Sequence, residues 1–543
     1  MPALAGLGAA LLRRGRPDQA LASLEAAAEA IEAHGSVLEL PEMQASFRRG
    51  LPTRVYDALI GLHADRGGIA SAFAHAERSR ARAFLQSLGD RWLAADAETA
   101  ALSALERRRR AVARRLAGGA GDGEAVRRSL HQRRDLLDDR IAAETLRLRL
   151  EHPAAASLAG LAPRTLDAVR ARLDGETTLV LYHVLDHRSL AWVVGRDRAE
   201  LVHLDAGAGA LSETVTRFER QVLAGEDAHA TAEELYRKLW RPIRRHDPAQ
   251  RVVLVPHGPL HDLPFAALRN PESGRFLIED HLLLRAPSAS AHAALSRRPA
   301  GRSPDRTPGP SGDAVLVAGA VGDDLPAARR STAVIARLWG AAALTGEAAT
   351  EAEIRRRAPS AGLIHLAVHG RMRSGTPVPD ALVLAPDRTH DGRLEVREIL
   401  SLDLKRSPLV VLAACRGAAG PTGWSDDRRT FARAFLSAGA RAVIAAGRDV
   451  IDRDAGALME ALHRHLRADR TAAEALRRAQ VEALDDPERS APRSWALFMV
   501  EGTAGGIDEG IDRIDRIDRI DRSGAQPSRA RRVYTTGTQT PKT

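Results

Sequence analysis

The sequence predicts a chain in two parts, an all-α helical region followed by an α/β domain with a mostly parallel sheet. Its 543 residues, 44% of them hydrophobic, exceed one ordinary domain and can build sizeable cores. Apolar residues recur at helical spacing through the first part of the chain. From residue 165 onward, short continuously apolar runs alternate with amphipathic helical segments, which is typical of a buried parallel sheet.

Composition and charge exclude several classes of protein. The chain has 80 basic and 70 acidic residues, a net charge of +10, and its low-complexity end supplies part of that excess. A small excess spread over so long a chain is not the charge pattern of a nucleic-acid-binding protein. No apolar stretch approaches the roughly 18 residues that a membrane span needs, and the first residues do not form a signal peptide. We therefore expect a cytoplasmic protein that does not bind a membrane.

Residues 1–90 are predicted to form helical hairpins. Leu4, Leu7 and Leu11 mark one helix, and small Gly8 and Ala20 would let a second helix approach closely. This pattern resembles tetratricopeptide repeats, which have large and small residues at these offsets. A second, weaker pair covers 54–89, where a generic helical hairpin is an equal alternative.

Residues 91–160 are predicted to form a long helical hairpin, broken at the glycine-rich segment 118–123. Leu105 and Val112 mark its first helix, and Leu130 and Leu137 its second. The arginine run in the first helix is typical of a solvated face.

The α/β part divides into three segments and a tail. Residues 165–296 would form a β-hairpin region and the first part of the domain, with strands at 178–185, 189–195, 199–205 and 251–257. Residues 297–313 are a proline-rich linker, and 314–502 are the core of the domain. The tail, 503–543, contains four successive Ile-Asp-Arg triplets and is predicted to be disordered.

The core segment is predicted to alternate strands with helices. The expected strands are 315–319, 363–369, 409–415 and 442–447, and the expected helices are 325–339, 429–438 and 454–467.

Two of these strands end in a side chain capable of nucleophilic chemistry. His369 is followed by Gly370, and Cys415, the only cysteine, is followed by Arg416 and Gly417. Parallel sheets bind ligands at the carboxyl ends of their strands. If the strands are neighbours, the imidazole can take the thiol proton, and a cysteine nucleophile results.

Other motifs in the chain give weaker signals. His365 and His369 have metal-ligand spacing for a helix, but they lie on a predicted strand without a third ligand, so we expect His365 to pack inside the sheet and no metal to bind. The segment 319–324 lacks the residues of a phosphate-binding loop, and no serine nucleophile elbow is present. No cofactor is expected.

The wider pattern of motifs resembles the CHAT domain, a caspase-like module found in bacteria beside tetratricopeptide repeats. The resemblance covers 230–502 and includes VLVPHGPLHDLPFAAL at 253–268, HLAVHG at 365–370 and LVVLAACRG at 409–417. Caspases carry a related cysteine signature with a histidine about fifty residues upstream. The CHAT family usually has a Leu-Trp pair where this chain has Gly447 and Arg448.

The resemblance implies a caspase-like fold and particular residue roles. Cys415 would attack a peptide carbonyl, His369 would promote thiolate formation, and the N–H groups of Gly370 and Cys415 would form the oxyanion hole. Three acidic residues are candidates for a subsite that favours a basic residue before the cleaved bond. These are Asp380, Asp449 and Asp452.

Two functions follow from this reading. The first is a cysteine endopeptidase that cleaves a protein substrate and is regulated by a partner protein bound to the helical N-terminal region. The alternative is a scaffold in which the caspase-like fold binds other proteins without catalysis.

Overall fold

The structure, a computed structural model, describes three long stretches of the chain and scattered residues between them. The stretches are residues 2–35, 51–80 and 164–503, with gaps at 247, 297–313, 323, 372–380, 405, 415–429 and 469. Twelve single or short-run positions between 105 and 140 are also described. The proline-rich linker and all of the tail beyond residue 503 lie outside the described residues, as does most of the hairpin predicted over 91–160.

The N-terminal region forms helical hairpins, as the apolar spacing predicts. Its helices are α1 (Pro2–Arg13), α2 (Pro17–Gly35), α3 (Leu51–Asp65) and α4 (Ile69–Arg78). Gly8 is needed where α1 crosses α2, because a Cβ there would come within 2.6 Å of the Leu24 side chain. Ala20 on the facing helix is fully buried. Small residues therefore set the spacing of this hairpin.

Between the helical region and the sheet, only part of the predicted long hairpin is described. Leu105 packs against a small buried cluster of Val112, Leu130 and Leu137. The two predicted segments of that hairpin therefore contact each other through these side chains.

The α/β part alternates strands and helices as follows. The strands are β1 (Thr177–Val184), β2 (Ser189–Val194), β3 (Ala199–Leu204), β4 (Arg251–Val255), β5 (Leu282–Arg285), β6 (Val315–Gly319), β7 (Ala343–Leu344), β8 (Leu363–Ala367), β9 (Gly370–Arg371), β10 (Ala381–Val383), β11 (Arg393–Glu395), β12 (Leu409–Leu412), β13 (Ala442–Ala446) and β14 (Phe498–Gly502). The helices are α5 (Leu166–Arg170), α6 (Ala208–Ala224), α7 (His229–Leu235), α8 (Arg241–Arg244), α9 (Leu277–Asp280), α10 (Ala289–Leu295), α11 (Pro326–Trp339), α12 (Glu351–Arg357), α13 (Val396–Leu400), α14 (Phe431–Ala438), α15 (Asp452–Arg467), α16 (Ala472–Leu484) and α17 (Pro492–Trp495).

Eleven of the described strands form one mixed sheet in the order β3-β2-β1-β4-β5-β14-β13-β12-β8-β6-β7. The strands from β13 to β7 pair in parallel, as do β1 with β4, β4 with β5 and β5 with β14. β14 runs antiparallel to β13 and joins the two halves of the sheet. The segments before and after the proline-rich linker therefore share one sheet. A second, three-stranded sheet contains β9, β10 and β11.

Alternate residues of the central strands face opposite layers of helices. Leu409 and Val411 of β12 pack into one hydrophobic cluster, and Val410 and Leu412 into the other. Residues of α11, α15 and α16 contribute to the first cluster, and residues of α12, α13 and α14 to the second. This arrangement confirms the predicted α/β domain with a mostly parallel sheet flanked by helices and an all-α region before it.

Buried contacts fix the helical region against the sheet. Both carboxylate oxygens of Glu77 in α4 accept backbone N–H bonds, from Ala289 at 3.1 Å and Ser290 at 2.7 Å at the start of α10. The Trp192 indole of β2 donates to the Ile69 carbonyl at 3.1 Å. Glu77 is fully buried, so this attachment belongs to the folded core.

A second buried group joins the end of the helical region to β1. Arg80 donates to the Tyr182 carbonyl at 3.0 Å and to His183 Nδ1 at 2.9 Å. His183 therefore carries its proton on Nε2, which donates to Asp57 Oδ1 of α3 at 2.8 Å.

No helix in the described ranges combines the length and apolarity that crossing a bilayer requires.

Candidate active site

The candidate site lies at the carboxyl ends of β8 and its two neighbours. β8 pairs in parallel with β12 on one side and with β6 on the other. The three strands are short and almost entirely apolar, because both of their faces are covered by helices. Residues that follow these strands therefore meet at the same edge of the sheet.

His369 follows β8 by two residues, so the strand is shorter than the predicted 363–369. Its carbonyl accepts the Val383 N–H of β10 at 2.8 Å, and Gly370 begins β9 and pairs with Leu382. The backbone of His369 is thereby fixed between the large and the small sheet. Its side chain is 39% exposed, so the imidazole is accessible from solvent.

Asp324 is the acidic partner of His369. His369 Nε2 lies 2.7 Å from Asp324 Oδ2 in the loop that follows β6. A carboxylate can only accept, so Nε2 carries the proton and Nδ1 is left with the lone pair. This orientation presents Nδ1 as the nitrogen that can exchange a proton with another group.

Sequence reasoning missed Asp324, although a signal for it exists. Two acidic residues follow the buried run 315–319 in the sequence. If the strands β6 and β8 are adjacent in the sheet, the loop after β6 lies beside His369. The order of the strands is a long-range property, and the sequence alone does not supply it.

Cys415 and the residues up to 429 lie outside the described residues. The chain before them is described: the Ala413 N–H donates to the Leu366 carbonyl at 2.9 Å, and Ala414 is almost fully buried. The pairing of β8 with β12 thus continues one residue past the end of the strand. The predicted roles of Cys415 and of the Gly370 N–H remain predictions.

His365 is buried inside the sheet layer, as predicted. Its Nδ1 lies 3.1 Å from His463 Nε2 of α15, and His463 Nδ1 accepts the Trp339 indole N–H of α11 at 3.0 Å. Burial lowers the pKa of His365 to about 3, and burial and the neighbouring imidazole lower the pKa of His463. Both rings are therefore neutral and connect the sheet to two helices.

The three predicted subsite acids have different positions. Asp452 accepts the Ala327 and Ala328 backbone N–H groups at 2.7 and 2.9 Å, so both of its oxygens cap the start of α11. Asp449 is exposed beyond the end of β13. Asp380 lies outside the described residues. A subsite role for these acids remains a prediction.

Arg448, which departs from the family pattern, contacts carboxylates of the chain itself. Its guanidinium pairs with Glu219 of α6 and lies 3.0 Å from Asp262. The side chain is mostly buried and also donates to the Gly447 carbonyl at 3.2 Å. Its charge is therefore balanced by two carboxylates within the fold.

Beside His369 lies a small cavity between the sheet edge and two helices. Its volume is about 30 Å³, and it is lined by residues of β8, α11 and α15 and by Ala413. A volume of this size holds about one water molecule. The described part of the site is therefore a shallow depression next to the imidazole.

These features define an α/β domain with a mostly parallel sheet and a solvent-accessible histidine that follows a central strand at its carboxyl end. The CHAT domain family model matches residues 229–503, half of the chain, and the chain belongs to this family. The matched range extends one residue beyond each end of the range that the motifs indicate.

Two curated relatives are mammalian. Tetratricopeptide repeat protein 28 of Mus musculus is 25% identical over 311 residues, covering 48% of this chain and 12% of the relative. Its counterpart in Homo sapiens is 24% identical over 306 residues, with the same two coverages. The chain thus spans about an eighth of the length of these relatives. Bacterial origin and tetratricopeptide repeats in this chain remain predictions.

Two solved structures are similar in part. The arginine-specific cysteine proteinase gingipain R has a TM-score of 0.35 and 14% identity, covering 55% of this chain and 74% of the proteinase. The Saccharomyces cerevisiae separase–securin complex has a TM-score of 0.43 and 9% identity, covering 92% of this chain and 46% of the matched chain.

Proposed function

We propose that this chain is a cysteine endopeptidase in which Cys415 is the nucleophile and His369 is its proton-exchange partner. One observation carries the proposal. β8 and β12 pair in register from Leu363 opposite Leu409 to Leu366 opposite Leu412, an offset of 46 residues. His369 and Cys415 are also 46 residues apart in the sequence.

The shared offset supports proximity of the two side chains. If the register continues three residues beyond Leu366 and Leu412, His369 lies opposite Cys415. Neighbouring strands are about 4.8 Å apart, and residues at the same level of two parallel strands face the same side. An imidazole and a thiol so placed can exchange a proton directly.

His369 takes up a proton and gives it back in both stages of the proposed reaction, acylation and deacylation. Nδ1 takes the proton of the Cys415 thiol, and the thiolate attacks the peptide carbonyl carbon to give a tetrahedral oxyanion. The C–N bond then breaks, the imidazolium gives its proton to the leaving amine, and an acyl-enzyme remains. Water, deprotonated by His369, cleaves the thioester and releases the carboxylate and the thiol.

Asp324 acts as a positioning residue in this scheme. Its carboxylate keeps the proton of His369 on Nε2, so that the lone pair of Nδ1 faces away from Asp324. The N–H groups of Gly370 and Cys415 are the candidate donors to the oxyanion. Removal of such a donor typically costs a few kcal/mol of barrier height.

We propose that a protein partner of the helical region regulates this activity. α4 contacts the β1–β2 end of the large sheet through the Trp192–Ile69 bond, and Glu77 fixes the start of α10. A partner that shifts α4 would therefore act on the same sheet that positions β8 and β12. In this proposal Asp449, which is exposed beyond the end of β13, contacts a basic substrate residue, and the Asp452 carboxylate caps α11.

A cleavage assay tests the proposed function. Purified full-length chain and its Cys415→Ala, His369→Ala and His187→Ala variants are incubated with a fluorogenic peptide library and with a protein mixture analysed by mass spectrometry for new amino termini. We expect loss of at least a thousandfold of the activity in the first two variants and wild-type activity in the third, because His187 is exposed and distant in sequence from the site.

Two outcomes contradict the proposal. Cleavage that persists in Cys415→Ala shows that another group or a contaminant is responsible. Absence of cleavage by the wild type, with or without partners captured by the full-length Cys415→Ala chain, favours the scaffold function instead.

A further inference from the structure

The helical region contains a cluster of metal-ligating side chains that the proposed peptidase function does not use. Glu25 of α2, His63 of α3 and His75 of α4 each offer one ligand atom, and these atoms lie within 4.8 Å of one another. The residues are distant in sequence, and three separate helices bring them together. The cluster lies outside the matched CHAT range.

His63 is oriented toward Glu25. Its Nδ1 side is packed against the turn that follows α3, where a Cβ on Gly68 would lie 3.6 Å from that nitrogen. Its Nε2 is shielded from solvent and makes no hydrogen bond among the described residues. Buried ring nitrogens are normally satisfied, so an unmatched Nε2 requires an explanation.

No direct hydrogen bond to Glu25 explains this nitrogen. His63 Nε2 and Glu25 Oε1 are 3.9 Å apart, which is too far for a hydrogen bond. Two ligands of a tetrahedral zinc ion, at bond lengths of about 2.0–2.1 Å, are separated by roughly 3.3 Å. The observed separation can accommodate an ion between the two atoms after a shift of a few tenths of an ångström.

His75 supplies the third ligand atom from the interior side once its ring turns out of its stacking on His63, because an imidazole coordinates a metal in its own plane. It is almost fully buried, and its ring stacks on that of His63 with centroids 5.1 Å apart and planes 16° from parallel. Glu25 is 48% exposed, so the cluster opens to solvent on its carboxylate side. An ion can therefore enter from solvent and keep one water molecule as a fourth ligand.

The surrounding charges are compatible with a bound cation. Arg66, a cationic side chain near His63, is paired with Asp18 of α2 at 2.6 Å, which balances its charge. Two imidazoles and one carboxylate are a donor set that suits zinc better than calcium or magnesium.

We propose that Glu25, His63 and His75 bind a zinc ion that links the α1–α2 hairpin to the α3–α4 hairpin. Bound zinc connects α2 directly to α3 and α4, and α4 is attached to the large sheet through Glu77. Occupancy of the site therefore stiffens the helical region that the proposed partner contacts. The zinc site rests on its own geometry and does not depend on the peptidase function.

Metal titration of the full-length chain tests the site. Protein stripped with a chelator and dialysed is titrated with Co²⁺, whose visible d–d bands report four-coordination, and the Co²⁺ is then displaced with Zn²⁺. We expect one equivalent to bind with a Kd in the micromolar range or below, and zinc to raise the Tm of the wild type. His63→Ala and Glu25→Gln should weaken binding at least tenfold.

Matched variants keep the test decisive. His187→Ala removes an exposed histidine elsewhere and should bind as the wild type does, and Cys415→Ala should retain the Co²⁺ bands. If His63→Ala does not fold, Glu25→Gln decides, because that side chain is half-exposed. The proposal is overturned if the stripped chain binds no metal, if Glu25→Gln binds within twofold of the wild type, or if the metal is lost in Cys415→Ala.

Discussion

At the scale of single residues, the chemistry proposed here depends on which nitrogen of His369 carries the proton. The 2.7 Å contact with Asp324 assigns that proton to Nε2. Both side chains are partly exposed, so the contact is worth less than a buried ion pair would be. Its contribution is to orient the ring, and its effect should therefore be seen in the rate of the chemical step.

Replacement of Asp324 tests this role. Asp324→Asn should lower kcat about tenfold with little change in KM, because an amide no longer enforces the Nε2–H form. The measurement is steady-state kinetics on a peptide that the wild type cleaves. Asp205→Asn, at an exposed acid that directly follows β3, should behave as the wild type. A kcat within twofold of the wild type in Asp324→Asn would show that the carboxylate does not position the ring.

Residues that act through neighbours in space are difficult to predict from sequence. His369 could be predicted because it ends a buried apolar run and carries a family motif. Asp324 is 45 residues upstream, and its relation to His369 depends on the pairing of β6 with β8. The Glu25–His63–His75 cluster likewise forms only through the packing of three helices, and no spacing along the chain indicates it.

At the scale of secondary structure elements, a chain of buried hydrogen bonds connects β8 with two helices. Trp339 of α11 donates to His463 of α15, whose other nitrogen faces His365 of β8. The His365 Nε2 makes no hydrogen bond among the described residues. This arrangement requires neutral imidazoles, so acid should weaken the packing of α11 and α15 on the sheet.

The pH dependence of stability tests this connection. The pKa of His365 is lowered to about 3, so between pH 6.5 and 3 the unfolded chain binds a proton that the folded chain does not. The unfolding free energy should therefore fall on acidification, by about 2 kcal/mol between pH 7 and pH 5 for this one group.

A variant separates this contribution from the rest of the acid response. Denaturant unfolding of His365→Leu should show a shallower fall of stability from pH 7 to pH 5 than the wild type, whereas His187→Leu should not differ from it. Equal pH slopes in the wild type and in His365→Leu would contradict a neutral buried His365.

Two of the strands that sequence reasoning missed, β5 and β14, share a physical cause. β6, β12 and β13 are uninterrupted apolar runs, β8 is interrupted only by His365, and the sequence predicts each of them. β5 and β14 contain buried charges, which mask their strand character: Arg285 donates to the His261 carbonyl at 3.0 Å, and Glu501 pairs with Arg433 at 3.4 Å. A buried charge is tolerated where a partner lies close to it in space. Here each partner is distant in the sequence, so the sequence alone does not reveal it.

At the scale of the whole molecule, one continuous sheet connects the helical region to the candidate site. β14, from the end of the described chain, lies between β5 and β13 and joins the two halves. α4 contacts the β1–β2 end, and the candidate site lies toward the other end, at β12, β8 and β6. This continuity gives the proposed regulation a physical route through packed strands, which separate domains on a flexible linker would lack.

The central claim is that His369 and Cys415 face each other across β8 and β12. Because Cys415 is the only cysteine, a His369→Cys variant contains two thiols that can form a disulfide if their Cα atoms lie about 4.4–6.8 Å apart. After mild oxidation of the monomer, the thiols that remain open to alkylation are counted by intact mass. We expect none in His369→Cys and two in the control His203→Cys, on β3 at the far edge of the sheet. Two alkylated thiols in His369→Cys would contradict the account.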